Sequence, residues 1–124
     1  AGWHVPTISE FIVLKNYLIA NGYNYEGSTN GYKIAKYMAA TVNWTASTYT
    51  GSPGNVPATN NSSGFSGLPG GLHAFSSIYY FVGNEGYWWT SIIPDSYGNI
   101  VSLHYAAIGL DEPSGPAKSQ GNRF

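Results

Sequence analysis

Two stretches near the start of the chain carry a helical period. Pro6-Thr7-Ile8-Ser9-Glu10 has the form of a capping box: Thr7 can accept from the backbone three residues on and Glu10 can reach back, which predicts a helix from Ile8. Phe11, Ile12, Leu14, Leu18 and Ile19 then recur near helical spacing, which puts Lys15 and Asn16 on the opposite side. Asn21-Gly22 supplies a stop, because glycine takes the left-handed conformation without steric cost. A second short helix is predicted from Gly31 to Ala40, with Ile34, Tyr37 and Met38 inward and Lys33 and Lys36 outward.

Beyond Ala40 the periodicity disappears. Ser, Thr, Gly, Asn and Pro dominate to Gly71, too rich in breakers for helix and too poor in alternating apolar residues for long strands. A loop of this length that stays ordered needs anchors, and Trp44, Phe65, Leu68 and Pro69 are the candidates. Short strands are predicted at Ile78 to Val82, Tyr87 to Ile92 and Ile100 to Ala107, with Asp95 to Asn99 as a turn and Asp111 to Gln120 as a second loop. Helices first, then a long loop and a small, mostly antiparallel sheet, is an α+β order.

Composition narrows the function. The chain has 124 residues, enough for one domain with a core of its own. Only 9% of residues are charged, against about 25% in an ordinary domain. The few cations are scattered, which leaves no basic stripe for phosphates and argues against a nucleic-acid partner. Weakly charged surfaces repel one another poorly, which favours self-association. Cysteine is absent, so disulfides and thiolate chemistry are excluded together. No run of eighteen apolar residues offers a membrane span. The chain opens on Ala1 without a charged-then-apolar leader, so any targeting signal is expected to lie outside this sequence.

Aromatics reach 16% and sit among Gly, Ser and Asn, as in Gly64-Phe65-Ser66-Gly67 and Gly86-Tyr87-Trp88-Trp89-Thr90-Ser91. Such rings offer flat apolar faces at low conformational cost, with small polar neighbours for hydrogen bonding, which suits binding better than catalysis. Trp3, Trp44, Phe65 and Trp88 read as core anchors, since a domain with few aliphatic runs builds its core from rings. Strand alternation predicts that Tyr79-Tyr80 and Trp88-Trp89 each send one ring inward and one outward.

Gly2-Trp3-His4-Val5-Pro6-Thr7 with Glu10, Trp44 through Gly54-Asn55, Asn61-Ser62-Ser63-Gly64-Phe65, Leu68-Pro69-Gly70-Gly71 and Gly86-Tyr87-Trp88-Trp89-Thr90-Ser91 fall in one order along the chain. In that order they resemble the Fibrobacter succinogenes major paralogous domain family. The resemblance implies a C-type-lectin-like fold in surface or secreted bacterial proteins, with adhesion or ligand binding as the presumed role. In some relatives the stretch corresponding to about Tyr97 to Lys118 is varied to change what is bound. The chain departs from the family pattern at Ile92-Ile93-Pro94 and Leu72-His73, and its terminal strands are short. The expectation is a single lectin-like domain that belongs to a longer chain or to an assembly in which strand addition completes the sheet.

Chemistry-bearing residues are few. His4, His73 and His104 stand at no metal-ligand spacing, so they read as structural or surface residues. Asp111-Glu112-Pro113-Ser114 is similar to the Glu-Pro-Asn motif of true C-type lectins. Ser replaces Asn there and the order of elements is wrong, so a solvated turn is favoured over a calcium site. No nucleophile elbow is present, and six scattered acids give no evidence of a hydrolytic pair. No cofactor is expected.

The ligand-contact set is expected at Tyr97, Asn99, His104, Tyr105, Asp111, Glu112 and Ser114. Sequons begin at Asn43, Asn60 and Asn61, and in so Asn- and Ser-rich a chain chance accounts for them best. The reading is an extracellular or cell-surface binding module for protein or glycan. The alternatives are a structural subunit of a surface filament and, behind it, a hydrolase.

Overall fold

In a computed structural model of the chain, residues 2–29, 31–73, 78–91 and 99–112 are described. The order is α1 (Ile8–Ala20), α2 (Ala35–Met38), β1 (Leu72–His73), β2 (Tyr79–Tyr80), β3 (Glu85–Thr90) and β4 (Asn99–His104), with single 3-10 turns at Tyr25–Gly27 and Pro57–Thr59. This is an α+β architecture with two helices and small antiparallel sheets.

α1 begins as predicted. Glu10 N–H donates to Thr7 Oγ1 at 3.1 Å, and Glu10 Oε2 accepts from Thr7 N–H at 2.8 Å. It also ends as predicted, at Gly22 with φ +76°: Tyr23 N–H donates to Leu18 O at 2.8 Å and Gly22 N–H to Ile19 O at 3.2 Å. That paired closure satisfies carbonyls the last turn would otherwise orphan. The buried face is Phe11, Lys15 and Leu18, while Ile12 and Val13 are exposed. Lys15 therefore points into the protein and not to the solvent side, because it has an acid and a phenol to meet there.

α2 is shorter than the predicted segment. The fully buried Asn24 donates to Gly31 O at 3.1 Å and accepts from Lys33 N–H at 2.8 Å. These bonds hold residues 31–33 in a loop, so the helix starts only at Ala35. Ile34 and Met38 are inward, as expected, and Tyr37 is half-buried. Lys36 is a correction: it is 4% exposed and sits inside the protein. Its ammonium donates to Asn55 O, to Val56 O at 3.2 Å and to Asn60 Oδ1 at 2.9 Å. Burial holds its pKa below the ordinary lysine value.

The same hub orders the long loop. Asn60 Nδ2 donates to Ala40 O and to Pro53 O, each at 2.9 Å, and Ser63 Oγ donates to Tyr37 O at 2.6 Å. Trp44 is buried and donates to Gly67 O at 3.3 Å, Phe65 packs against the core and Pro69 is buried. Leu68, expected as a fourth anchor, is exposed.

The core gathers Phe11, Leu18, Ile34, Ala35, Met38, Ala39, Trp44, Val101, Leu103 and Leu110. Ile34, Met38, Val101 and Leu103 are fully buried. Burying such side chains contributes about 1.5–3 kcal/mol each.

Trp3 does not join this core and is fully exposed. The N-terminal segment is held through its main chain instead: Ser91 N–H donates to Pro6 O at 2.8 Å, and Thr7 bridges Ser91 in parallel. Nor does either ring of Tyr79-Tyr80 turn inward. Both are exposed: among the described residues β1 and β2 pair with each other, and neither strand contributes to the core cluster. The predicted turn from Asp95 to Asn99 lies outside the described residues except for Asn99, which opens β4.

Candidate functional site

Period-two alternation gives the β3–β4 ribbon two unlike faces. The register pairs Glu85 with His104, Gly86 with Leu103, Tyr87 with Ser102, Trp88 with Val101, and Trp89 with Ile100. Residues opposite one another in an antiparallel pair share a face. Leu103 and Val101 are fully buried and Trp88 packs on the core, its ring edge-on to Phe65 at a centroid distance of 5.4 Å. The other face therefore presents Glu85, Tyr87 and Trp89 beside His104, Ser102 and Ile100. Trp89 is exposed, as expected for the outward member of its pair.

One end of this outer face is polar and internally bonded. Tyr87 Oη donates to Glu85 Oε2, and Glu85 Oε1 lies 3.8 Å from His104 Nε2. His104 Nδ1 accepts from Ala106 N–H at 3.2 Å, so in the neutral ring the proton belongs on Nε2, facing the carboxylate. The Tyr105 ring leans on that imidazole at a centroid distance of 4.7 Å and an angle of 45°. The arrangement offers acceptors, a donor and ring faces in a fixed frame. Among the described residues, no group of three His, Cys, Asp or Glu is placed to hold a metal ion.

The expected contact set divides on this frame. His104 lies on the outer face. Tyr105 is half-buried and packs against the core. Asn99 pairs with Thr90 at the end of the ribbon. Asp111 adds a third edge through its backbone, exchanging hydrogen bonds with Ser102 at 3.0 and 2.9 Å, and its side chain is exposed.

Glu112, expected among the contacts, has its carboxylate 2.7 Å from the buried Lys15 ammonium and so ties its segment to α1. Tyr97 and Ser114 lie outside the described residues. Glu85, Tyr87 and Ser102 escaped the sequence reading. Once Trp89 is taken as outward, counting back by two reaches Tyr87 and Glu85 on the same face.

The sequons also differ in surroundings. Asn60 is buried with its amide doubly engaged, Asn61 bonds Ser66 through both side-chain atoms at 2.7 Å, and Asn43 is exposed. No helix among the described residues is long and apolar enough to cross a membrane.

A bacterial family shares this run of motifs. The profile of the Fibrobacter succinogenes major domain matches residues 1–107, and the chain belongs to that family. Nothing among curated proteins or solved structures matches the chain.

Proposed function

We propose that this domain is a non-catalytic binding module of the cell exterior, and that it takes a protein or glycan ligand against the outer face of the β3–β4 ribbon. The observation that carries the reading is that ribbon's division of labour. One face is committed to the core, and the other holds Tyr87, Trp89 and His104 in a pre-set frame with Glu85 and Ser102. Rigid aromatics beside small polar groups are the usual means of binding without chemistry. A C-type-lectin-like fold is part of the proposal, supported by the N-terminal helices, the long ordered loop and the late antiparallel ribbon that the family resemblance implies.

The test is a screen of the purified domain against glycan and protein arrays, followed by titration of any hit with Trp89→Ala and Tyr87→Phe variants. A hit weakened about tenfold by Trp89→Ala supports the reading. Hits indifferent to both variants, or turnover in a hydrolase panel abolished by one carboxylate substitution, overturn it.

A second reading, a subunit of a surface homopolymer, rests on a different observation. Ile78, Tyr79, Tyr80, Phe81 and Val82 are exposed one after another, Leu68 is exposed too, and a concentration of exposed apolar residues is the kind of surface that interaction sites use. Sedimentation and microscopy at high concentration decide it. A lone globule sinks it, and a fibre or ring supports it.

A further inference from the structure

Away from the ribbon, two loops face each other across an open cleft of about 440 Å³. Tyr25, Glu26 and Lys33 come from one loop and Thr48, Tyr49 and Thr50 from the other, and Ile108 completes the described lining. The volume falls in the range of about 300–1,000 Å³ typical of small-molecule sites.

Both walls are fixed before any ligand arrives. Buried Asn24 clamps residues 31–33 on one side, and Tyr25 N–H donates to Lys33 O at 2.9 Å. Glu26 is held at φ +68°, a left-handed backbone that side-chain-bearing residues avoid and that tends to be kept at functional positions. On the other side Ser52 N–H closes a turn onto Tyr49 O at 3.1 Å, and Tyr49 N–H donates to Ser47 Oγ at 3.0 Å. The two walls touch at Gly51, φ +83°, where a Cβ would stand 2.9 Å from the Tyr25 ring. The ring is seated on bare backbone, and Tyr49 is left exposed above the turn.

The chemistry of the lining selects a ligand class. Lys33 Nζ lies 3.5 Å from Glu26 Oε2, so the cleft's cation and anion compensate each other and neither sign of ligand is favoured. What remains is phenol rings for an apolar face and threonine hydroxyls, a carboxylate and an ammonium for a ring of hydroxyls. A pyranose carries both kinds of surface at once. Among the described residues, Glu26 is the one carboxylate in the lining, and the proposal is for holding sugar, since glycoside hydrolysis takes a pair. We propose that this cleft binds a short neutral oligosaccharide. The proposal stands apart from the ribbon reading, since the two sites share no residue.

The test is amide chemical-shift mapping of the labelled domain. Its neutral probes are maltotriose, cellotriose and mannotriose, and its charged controls are sialyllactose and chitosan trimer. The expected result is saturable shifts at Glu26, Lys33 and Thr48 to Thr50 with a neutral trisaccharide at about 1 mM affinity, a weak class for which contacts of this kind suffice. Tyr49→Ala should weaken that binding about tenfold with the remaining spectrum intact. Glu26→Gln should leave Lys33 unopposed and admit sialyllactose.

Trp89→Ala should leave the cleft shifts unchanged, which separates this site from the ribbon. Absence of shifts with every neutral probe at about 10 mM, a preference of the native protein for a charged control, or indifference to Tyr49→Ala overturns the proposal.

Discussion

Lys15 in the middle of α1 and Glu112 beyond β4 form an ion pair of 2.7 Å, with side chains 6% and 26% exposed. The same ammonium donates to Tyr32 Oη at 3.0 Å and sits 4.6 Å from the centre of that ring. Burial alone would lower the Lys15 pKa, but the hydrogen bonds to Glu112 and Tyr32 outweigh it and raise the value above the ordinary one. Three distant parts of the chain meet at one nitrogen.

Glu112→Gln should therefore lower stability by about 1–3 kcal/mol, because it strands a largely buried ammonium. Adding Lys15→Met should return much of the loss, since the apolar stem still packs. Urea unfolding of the two single variants and the double variant measures the coupling. A raised folded pKa also means that the contribution is whole below the ordinary lysine value and fades as pH climbs through the raised one.

Lys36 should behave in the opposite sense. Its folded pKa is lowered by burial, so the unfolded chain binds the proton more tightly and stability rises with pH between the lowered and the ordinary lysine value. Asn60→Ala, which removes the donor to Ala40 O and Pro53 O and an acceptor for Lys36, should cost about 3 kcal/mol. Thermal melts across an alkaline pH series, with and without the substitution, check both statements.

The capping box gives an acid-labile N-terminus. The Thr7 backbone N–H, then the His4 side chain 2.9 Å away, then the Thr7 hydroxyl hold the Glu10 carboxyl below the usual glutamate value. A lowered folded pKa means that stabilisation present above the unfolded value is lost as pH falls through the folded one. Amide exchange of the first turn of α1 should accelerate over that acidic window, and Glu10→Gln should remove the dependence.

The three sequons should separate in a host that glycosylates secreted proteins. Exposed Asn43 is expected to be modified more fully than Asn61, whose side chain is engaged with Ser66. Asn60 is expected to stay bare in folded material, because its amide nitrogen is already spent on two carbonyls inside the protein. Peptide mapping by mass spectrometry reads the occupancy at each site.

Features encoded within a few residues were legible in the sequence. Thr7 with Glu10, the stop at Gly22 and the alternation in Tyr87 to Thr90 each need only their neighbours, and the structure contains all three. Lys15 and Lys36 were misjudged because a lysine on a helix reads as a solvent group, and only partners remote in sequence make burial affordable. Trp3 was assigned to the core because of its type. Its segment is positioned by the carbonyl of Pro6, which composition cannot reveal.

The paired tyrosines at Tyr79-Tyr80 failed for a related reason: alternation assigns an inside only when something lies against the strand. Of the six residues on the outer ribbon face, the sequence points to Trp89, as an outward ring, and to His104. Glu85 and Tyr87 follow from Trp89 by alternation along one strand, whereas Ser102 and Ile100 need the register as well.

The long loop held by Asn60, Lys36 and Trp44 has an optical consequence. Its order resides in side-chain anchorage and turns, so far-ultraviolet circular dichroism should suggest a weakly structured polypeptide. The near-ultraviolet bands of the protein's packed rings, the buried Trp44 of this loop and the Trp88 that meets Phe65 among them, should instead be intense. Denaturation followed only at peptide wavelengths would understate how cooperative this molecule is, and tryptophan emission would report it faithfully.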